Sequence, residues 1–590
     1  MKRLYVILMV TTLFSCEKYL DKGPLDSLTN EQAFASEENL QLYVNSFYGA
    51  LPSAQAIYGT SGVLEGYYFI GDVMSDVNAW TQNITYLTGG FTSQNSQGWI
   101  WTELRNINYF LANYHKANTT AERKNHFAGI ARFFRANFYF EKVKLFGDVP
   151  WYGTPHSPTD EALYKPRDSR ELVMDSVLAD LDFAVQHIVD VKDNSATMIT
   201  KSAALALKSR ICLFEGTFRK YHDELGLVSS ANFWLEEAAD AANDLIQSGA
   251  YSLVNNGNPA SDYRSLFTST TPPSNEIILA RVFSDNLRIW HNATDVYANT
   301  GAYQTSLTRR FINTYLNVDG TRFTDQPGFN EIEFNEETKN RDFRLSQTIR
   351  TPSYRRADGS VEPPYLGQAR TGYHILKFSL DDRRYDNLGQ SNNAIPLIRY
   401  AEVLLNYAEA KAELGSLSDA DWNTTVGALR KRAGIASTAM PATLDPYMKA
   451  NFYPTINSIA VMEIRRERAI ELAVEGFRYA DLLRWKAGDL LEKSKDGIYV
   501  KAMNEPIDLN EDGQTDVMFV ATAPSEPLPR VYYYVVDNAV IRLSNGTSGN
   551  VVWQANMNRQ YPDYKYYMPL PFGELVINDN LVQNDGWDHP

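Results

Sequence analysis

Apolar residues recur three or four apart through much of this chain. The pattern predicts helices over 36–48, 99–116, 126–145, 169–188, 201–218 and 232–247. In the first, Ser36 stands as N-cap, with Glu37 and Glu38 in the opening turn, where the helix dipole favours acids. Leu40, Val44 and Phe47 form its apolar stripe. Segments 130–140 and 199–216 place Ala at close-packing positions with large residues between. Helix pairs of this size suggest tetratricopeptide-like repeats, whose period is about 34 residues, although the spacing here is not strict.

The chain is organised around two further stretches, 395–415 and 461–485. The first predicts one helix about 30 Å long, with Pro396 in its first turn and Gly415 just past its end. Ala401, Leu404, Leu405, Ala408 and Ala412 form its apolar face, and Arg399, Glu402, Asn406, Glu409 and Glu413 a wet face. The second carries Ile470, Ala473, Phe477 and Ala480 on one face, with Gly488 as its stop. Glu471, Glu475, Arg478, Asp481 and Arg484 follow three or four apart, a spacing that lets ion pairs run along the helix. This ladder is expected to be a structural network between packed helices, since the stretch supplies no nucleophile or metal set. Elsewhere, 275–283 predicts a short strand, 306–323 a helix, and 373–378 another short strand. Segments 53–98, 284–305 and 501–561 read as irregular, and long irregular stretches in compact domains tend to be functional.

Composition narrows the function classes. The 590 residues carry a net charge of −15, which argues against a nucleic-acid backbone as partner. Aromatic content is 13%, with 36 Tyr and 10 Trp, which fits a surface that offers flat rings to a ligand. Of the two cysteines, Cys212 lies in a helical apolar run and Cys16 ends a signal, so no intrachain disulfide is expected. Residues 1–15 have a basic start at Lys2 and Arg3 and an apolar run too short to span a membrane. Leu13-Phe14-Ser15-Cys16 resembles a bacterial lipobox, with a bulky Phe14, and implies lipidation (palmitate included) of Cys16 and cleavage before it. Residues 16–35 then read as a tether, and 36–590 as the folded body.

The blocks IRYAEVLLNYAEAKAELG (398–415), LRKRAGI (429–435), 463–485 and YMPLPFGELVINDNLVQNDGW (567–587) resemble the SusD/RagB family. That family comprises surface lipoproteins of the Bacteroidetes that partner SusC-like TonB-dependent transporters and capture nutrients, mostly glycans. The resemblance runs from the lipid-anchor signal to the C-terminal block. It implies a mainly α fold, a tetratricopeptide-like helix-pair array with irregular loop-rich insertions and short strands. It also implies an outer-membrane, cell-surface location and a non-catalytic role.

Candidate chemistry sits in the irregular segments. Trp80 and Tyr86, with Asn78 and Asn83, lie in the early one; Trp290, Tyr297 and Tyr303, with Arg288, lie in the later one. A flat ring covers the apolar C–H face of a sugar, and Asn or Arg bonds its hydroxyl rim. The family builds its ligand surface from corresponding loops. A second candidate is Asp508-x-Asn510-x-Asp512-Gly513-Gln514-x-Asp516, the first half of a calcium loop, with Phe519 where the bidentate Glu would stand. A tight Asx-rich turn without metal is the alternative. No cofactor is otherwise required. The sequence holds no HExxH, CxxC, P-loop or GxSxG motif, and its eight His are scattered. His291, beside Trp290, is expected to make a polar contact rather than act as a base. The expectation is thus a glycan-binding lipoprotein. The alternatives are a peptide-binding RagB-type protein, a surface helical-repeat scaffold, and a surface glycoside hydrolase.

Overall fold

The structure, a computed structural model, describes residues 30–52, 71–81, 84–298, 304–386 and 389–587; the signal and Cys16 lie outside them. The principal helices are α1 (Glu37–Asn45), α2 (Thr102–Asn113), α3 (Ala121–Phe146), α4 (Arg170–His187), α5 (Lys201–Tyr221) and α6 (Ala231–Gln247). Further along come α7 (Tyr400–Glu413), α8 (Val426–Arg432), α9 (Ile459–Glu471) and α10 (Arg478–Arg484). Side-chain caps start four of the early ones; Ser36 is the cap expected from the sequence, and the helix capped by Thr120 begins five residues before the predicted 126. Ser36, Thr120, Ser169 and Thr200 accept from the N–H groups of Asn39, Arg123, Leu172 and Ala203.

The helices pack in pairs. α3 lies against α4, α5 against α6, and α7 spans α6 and α9, giving the expected tetratricopeptide-like array. Two glycines set the closest approaches. A Cβ on Gly129 of α3 would come within 2.9 Å of Ile188, and one on Gly216 of α5 within 2.9 Å of the backbone N of Leu235 in α6. No described helix is long and apolar enough to cross a membrane.

The strands are β1 (Asn78–Trp80), β2 (Ile277–Arg281), β3 (Thr305–Leu307), β4 (Tyr373–His374), β5 (Ile395–Arg399) and β6 (Lys495–Val500). After these follow β7 (Pro506–Ile507), β8 (Val517–Val520), β9 (Tyr532–Val535), β10 (Ile541–Leu543) and β11 (Gly549–Trp553). Among the described residues they form small sheets in the orders β1-β3-β4, β2-β5, β10-β11-β6 and β7-β8-β9.

Several expectations change. Residues 395–399 are not the first turn of a helix but β5, antiparallel to β2, with Pro396 opposite Ala280. β5 has no second neighbour in its sheet, so a residue without an N–H is tolerated there. The predicted helix 461–485 is broken between α9 and α10, where Val474 and Gly476 turn through positive φ (64° and 80°). The predicted helix 306–323 begins instead as β3, because Asn78–Trp80 and Tyr373–His374 pair with it on both sides; only Arg309–Ile312 is α-helical. The irregular segment 501–561 carries β7 to β11.

The largest change concerns the predicted wet face of α7, which is inside. Arg399, Glu402, Asn406, Glu409 and Glu413 are all buried, and each has a partner from a distant element. Glu402 takes a fork from Arg210 (2.6 and 2.7 Å). Asn406 accepts from Arg468 at 2.8 Å. Glu409 pairs with Arg484, and Glu413 with Lys220 at 2.8 Å and Arg465 at 3.2 Å. Glu471 on α9 accepts from Arg399 (2.6 Å), Arg344 (2.8 Å) and Arg432. Burial alone would raise its carboxyl, but the guanidiniums of Arg432, Arg399 and Arg344 outweigh that and hold it well below the carboxylate range. The charge ladder is therefore a structural network that runs mostly between elements, with Arg484–Asp481 (2.8 Å) as its pair along α10.

Candidate functional site

The network anchors the segment that leads to the first predicted loop. Arg478 forks onto Asp76 (2.7 and 2.8 Å), and the backbone N–H groups of Gly476 and Arg478 donate to Asp72. Burial pushes the Asp72 carboxyl up to about 6, against the pull of those two N–H groups. From there the chain enters β1, and the register places Asn78 opposite Leu307 and Trp80 opposite Thr305.

This pairing decides the fate of the predicted ligand residues. Asn78 is buried and accepts from the Thr305 hydroxyl at 2.5 Å. Trp80 is only 4% exposed, and its carbonyl accepts from the Trp553 indole at 3.2 Å. Tyr86 is fully buried, donates to the Lys565 carbonyl at 2.6 Å, and packs edge-on against Phe91. Tyr297 is 1% exposed, and its carbonyl is a partner of the His374 ring. Burial drives both phenols well above their ordinary pKa. These rings hold loops onto the core and offer no face to a ligand. Asn83 and Tyr303 lie outside the described residues.

Trp290 and Arg288 are placed differently. Residues 284–289 form a tight hairpin, with Ser284 and Ile289 exchanging backbone hydrogen bonds at 2.9 and 3.0 Å. Arg288 turns through φ 53° at its tip and is exposed. Leu287 and Ile289 beside it are 70% and 51% exposed. The Trp290 ring is half-buried, and its indole N–H donates to Asp285 Oδ1 at 2.8 Å. The other oxygen of Asp285 accepts from the Asn392 amide, also at 2.8 Å. Tyr385 donates to Asn392 at 3.4 Å, and the Arg384 guanidinium lies 4.4 Å over the Tyr385 ring. The result is a half-buried indole held by a carboxylate that an amide holds in turn, with Arg288 exposed two residues before it and Arg384 stacked on Tyr385 beside Asn392. Asp285, Asn392 and Arg384 were not legible as site residues, because no periodicity links 285 to 392.

His291 is buried behind this corner. Its Nδ1 accepts from the Ala293 N–H, so Nε2 donates to the Asn393 carbonyl at 2.9 Å. Burial pushes its pKa down to about 4, and the neutral ring is a structural polar contact.

The 508–516 loop closes on itself. Asp508 accepts from Asn510 and Gly513 N–H, Asn510 from Asp512 N–H, Asp512 from Gln514 N–H, and Asp516 from Leu509 N–H. The bonds from the Asn510, Asp512 and Gln514 N–H groups are successive Asx turns. Among the described residues no group of three or more His, Cys, Asp or Glu is placed to hold a metal ion, so the calcium expectation is not carried further.

Known proteins share this frame. The SusD family model matches residues 255–587, and a model described as starch-binding associating with outer membrane matches 18–213. Two SusD-like proteins of Formosa agariphila are 23% and 25% identical, over 81% and 82% of this chain and 90% of each relative. A solved SusD-like protein from Bacteroides fragilis aligns with a TM-score of 0.66 at 22% identity, over 96% of this chain and all of that one. A second Bacteroides fragilis structure, described as a SusD-like carbohydrate binding protein, aligns with a TM-score of 0.68 at 22% identity, over 93% of this chain and 99% of that one. With one family model spanning more than half its length and the same helical frame in solved relatives, this chain belongs to the SusD family.

Proposed function

We propose that this chain is a non-catalytic capture protein for oligo- or polysaccharide. In this reading a lipid on Cys16 tethers it to the outer face of the outer membrane, and it hands glycan to a SusC-like TonB-dependent transporter. The observation that carries the reading is the Trp290 corner. A half-exposed indole, fixed by Asp285 and Asn392, meets the C–H face of a sugar, while Asn392, Arg288 and Arg384 bond its hydroxyls. The outer-membrane and starch-binding wording of the matching family model agrees with it, as does the carbohydrate-binding description of the Bacteroides fragilis relative. The corner supplies contact and orientation.

The test is retardation in native gels containing single polysaccharides, using protein that begins after Cys16. Retardation by one glycan, lost in Trp290→Ala, is the expected result. Retardation by none would overturn the glycan reading and move the ligand to peptides, as in the RagB branch. Co-purification with the transporter from detergent-solubilised outer membranes tests the handover.

A further inference from the structure

A second pocket opens where residues 362–366 face β8 and β9, with a volume of about 210 Å³. Pockets for drug-sized ligands run to roughly 300–1,000 Å³, so this one is scaled to a single ring. Its aromatic wall is Tyr365 and Tyr532, edge to face with centroids 5.3 Å apart. Pro363 and Pro364 add apolar surface, and Glu362, Asp516 and Arg530 add charge of both signs.

The aromatic wall is built, not incidental. Tyr365 is 40% exposed, yet its ring lies directly on Gly367, where a Cβ would come within 2.4 Å of the phenol carbon Cζ. Only glycine lets the ring rest on the backbone there. The Tyr365 N–H donates to His374 Nδ1 at 3.2 Å, and the opposite nitrogen of that ring is bound to the Tyr297 carbonyl. The Gln368 amide donates to the Val296 carbonyl at 2.9 Å. Both contacts fasten the pocket to the short helix Ala293–Ala298, which begins just after Trp290.

The polar groups face both ways. Tyr532 accepts from Arg370 at 2.8 Å, so its own hydroxyl hydrogen is free to donate. Arg530 is exposed, turns through φ 68°, and has no hydrogen-bond or ion-pair partner among the described residues. A left-handed backbone at a residue with a Cβ is strained, and such strain gathers at ligand clamps. Donors on Tyr532 and Arg530 and an acceptor on Asp516 match a vicinal diol, and an apolar wall of Tyr and Pro matches its ring face. Glu362, which also lines the pocket, is already paired with Arg350 and Arg356, and the remaining Arg530 and Asp516 balance, which favours an uncharged sugar over an acidic one.

We infer that the Tyr365–Tyr532 pocket is a second saccharide subsite, taking one neutral pyranose ring. The nature of its ligand rests on the glycan reading of the Trp290 corner, whereas its place does not. Saturation-transfer NMR with methyl glucoside, galactoside, mannoside and xyloside tests it on the full chain. The expected result is transfer to at least one glycoside that persists in Trp290→Ala and falls several-fold in Tyr365→Ala and in Arg530→Gln. Arg530→Gln removes an unpaired surface group, so a loss there is not a folding defect. Gly367→Ala, which displaces the Tyr365 ring and leaves every polar group in place, should lower the transfer as well. Wild-type transfer in Tyr365→Ala and Arg530→Gln, or none in the wild type, overturns the subsite. Transfer abolished by Trp290→Ala alone overturns the subsite and leaves the proposed function standing. Absence of polysaccharide retention with transfer intact at Tyr365 overturns the Trp290 reading instead.

Discussion

Arg484 on α10 grips Glu409 on α7 through two parallel bonds, 2.5 Å from Nη1 to Oε1 and 2.8 Å from Nη2 to Oε2, with both side chains buried. The Trp485 indole donates to the same carboxylate at 2.7 Å. Neither group can find water if the other is removed. Glu409→Ala and Arg484→Ala should each lower unfolding stability by about 3–5 kcal/mol. The double change to Leu and Met should cost less than either single one, because no charge is stranded. Urea midpoints of the four proteins check this. Equal losses in all three variants would show that packing volume, not charge pairing, carries the contact.

Asp72 makes the stability depend on pH. Burial raises its folded pKa to about 6, above the ordinary value of 3.8. The stability it contributes is therefore fully present below about pH 4 and lost as pH rises through 6. Relative to Asp72→Asn, the wild type should lose about 2 kcal/mol between pH 4 and 6. Thermal or urea unfolding of both proteins across that range reads the difference, and parallel curves would refute it.

Two tryptophans of the same predicted class should behave oppositely. Trp80 is a core ring, so Trp80→Ala should destabilise by about 3–5 kcal/mol. Trp290 is half-buried at a surface hairpin, so Trp290→Ala should remove glycan retention while shifting stability by less than about 1 kcal/mol. Native-gel retardation and melting curves, run together, separate the two roles.

The contact between α5 and α6 leaves no room at Gly216. Gly216→Ala would press a methyl group within 2.9 Å of the Leu235 backbone, which cannot yield as a side chain would. A loss of about 1–3 kcal/mol is expected in urea unfolding, despite the better helix propensity of Ala.

Much of this molecule follows from local pattern alone. Ser36 announces a helix start, and α1 to α6 lie close to where the 3.6-residue period puts them. The short strand at 275–283 and the ordered blocks from 398 to 587 suffice for the helical array and the family. Periodicity records which residues share a face; it does not record what that face meets. The polar face of α7 looks the same in sequence whether water or buried arginines lie opposite, and only the positions of Arg210, Arg465, Arg468 and Arg484 settle it. The aromatic loops carry the same ambiguity. Trp80, Tyr86 and Tyr297 are turned inward by strand pairing and by carbonyls of distant segments. Trp290 is kept at the surface by a carboxylate whose second partner, Asn392, lies 107 residues away. Local sequence determined the helices, their caps and the family; the tertiary structure decided burial and the site, because both depend on contacts between residues far apart in the chain.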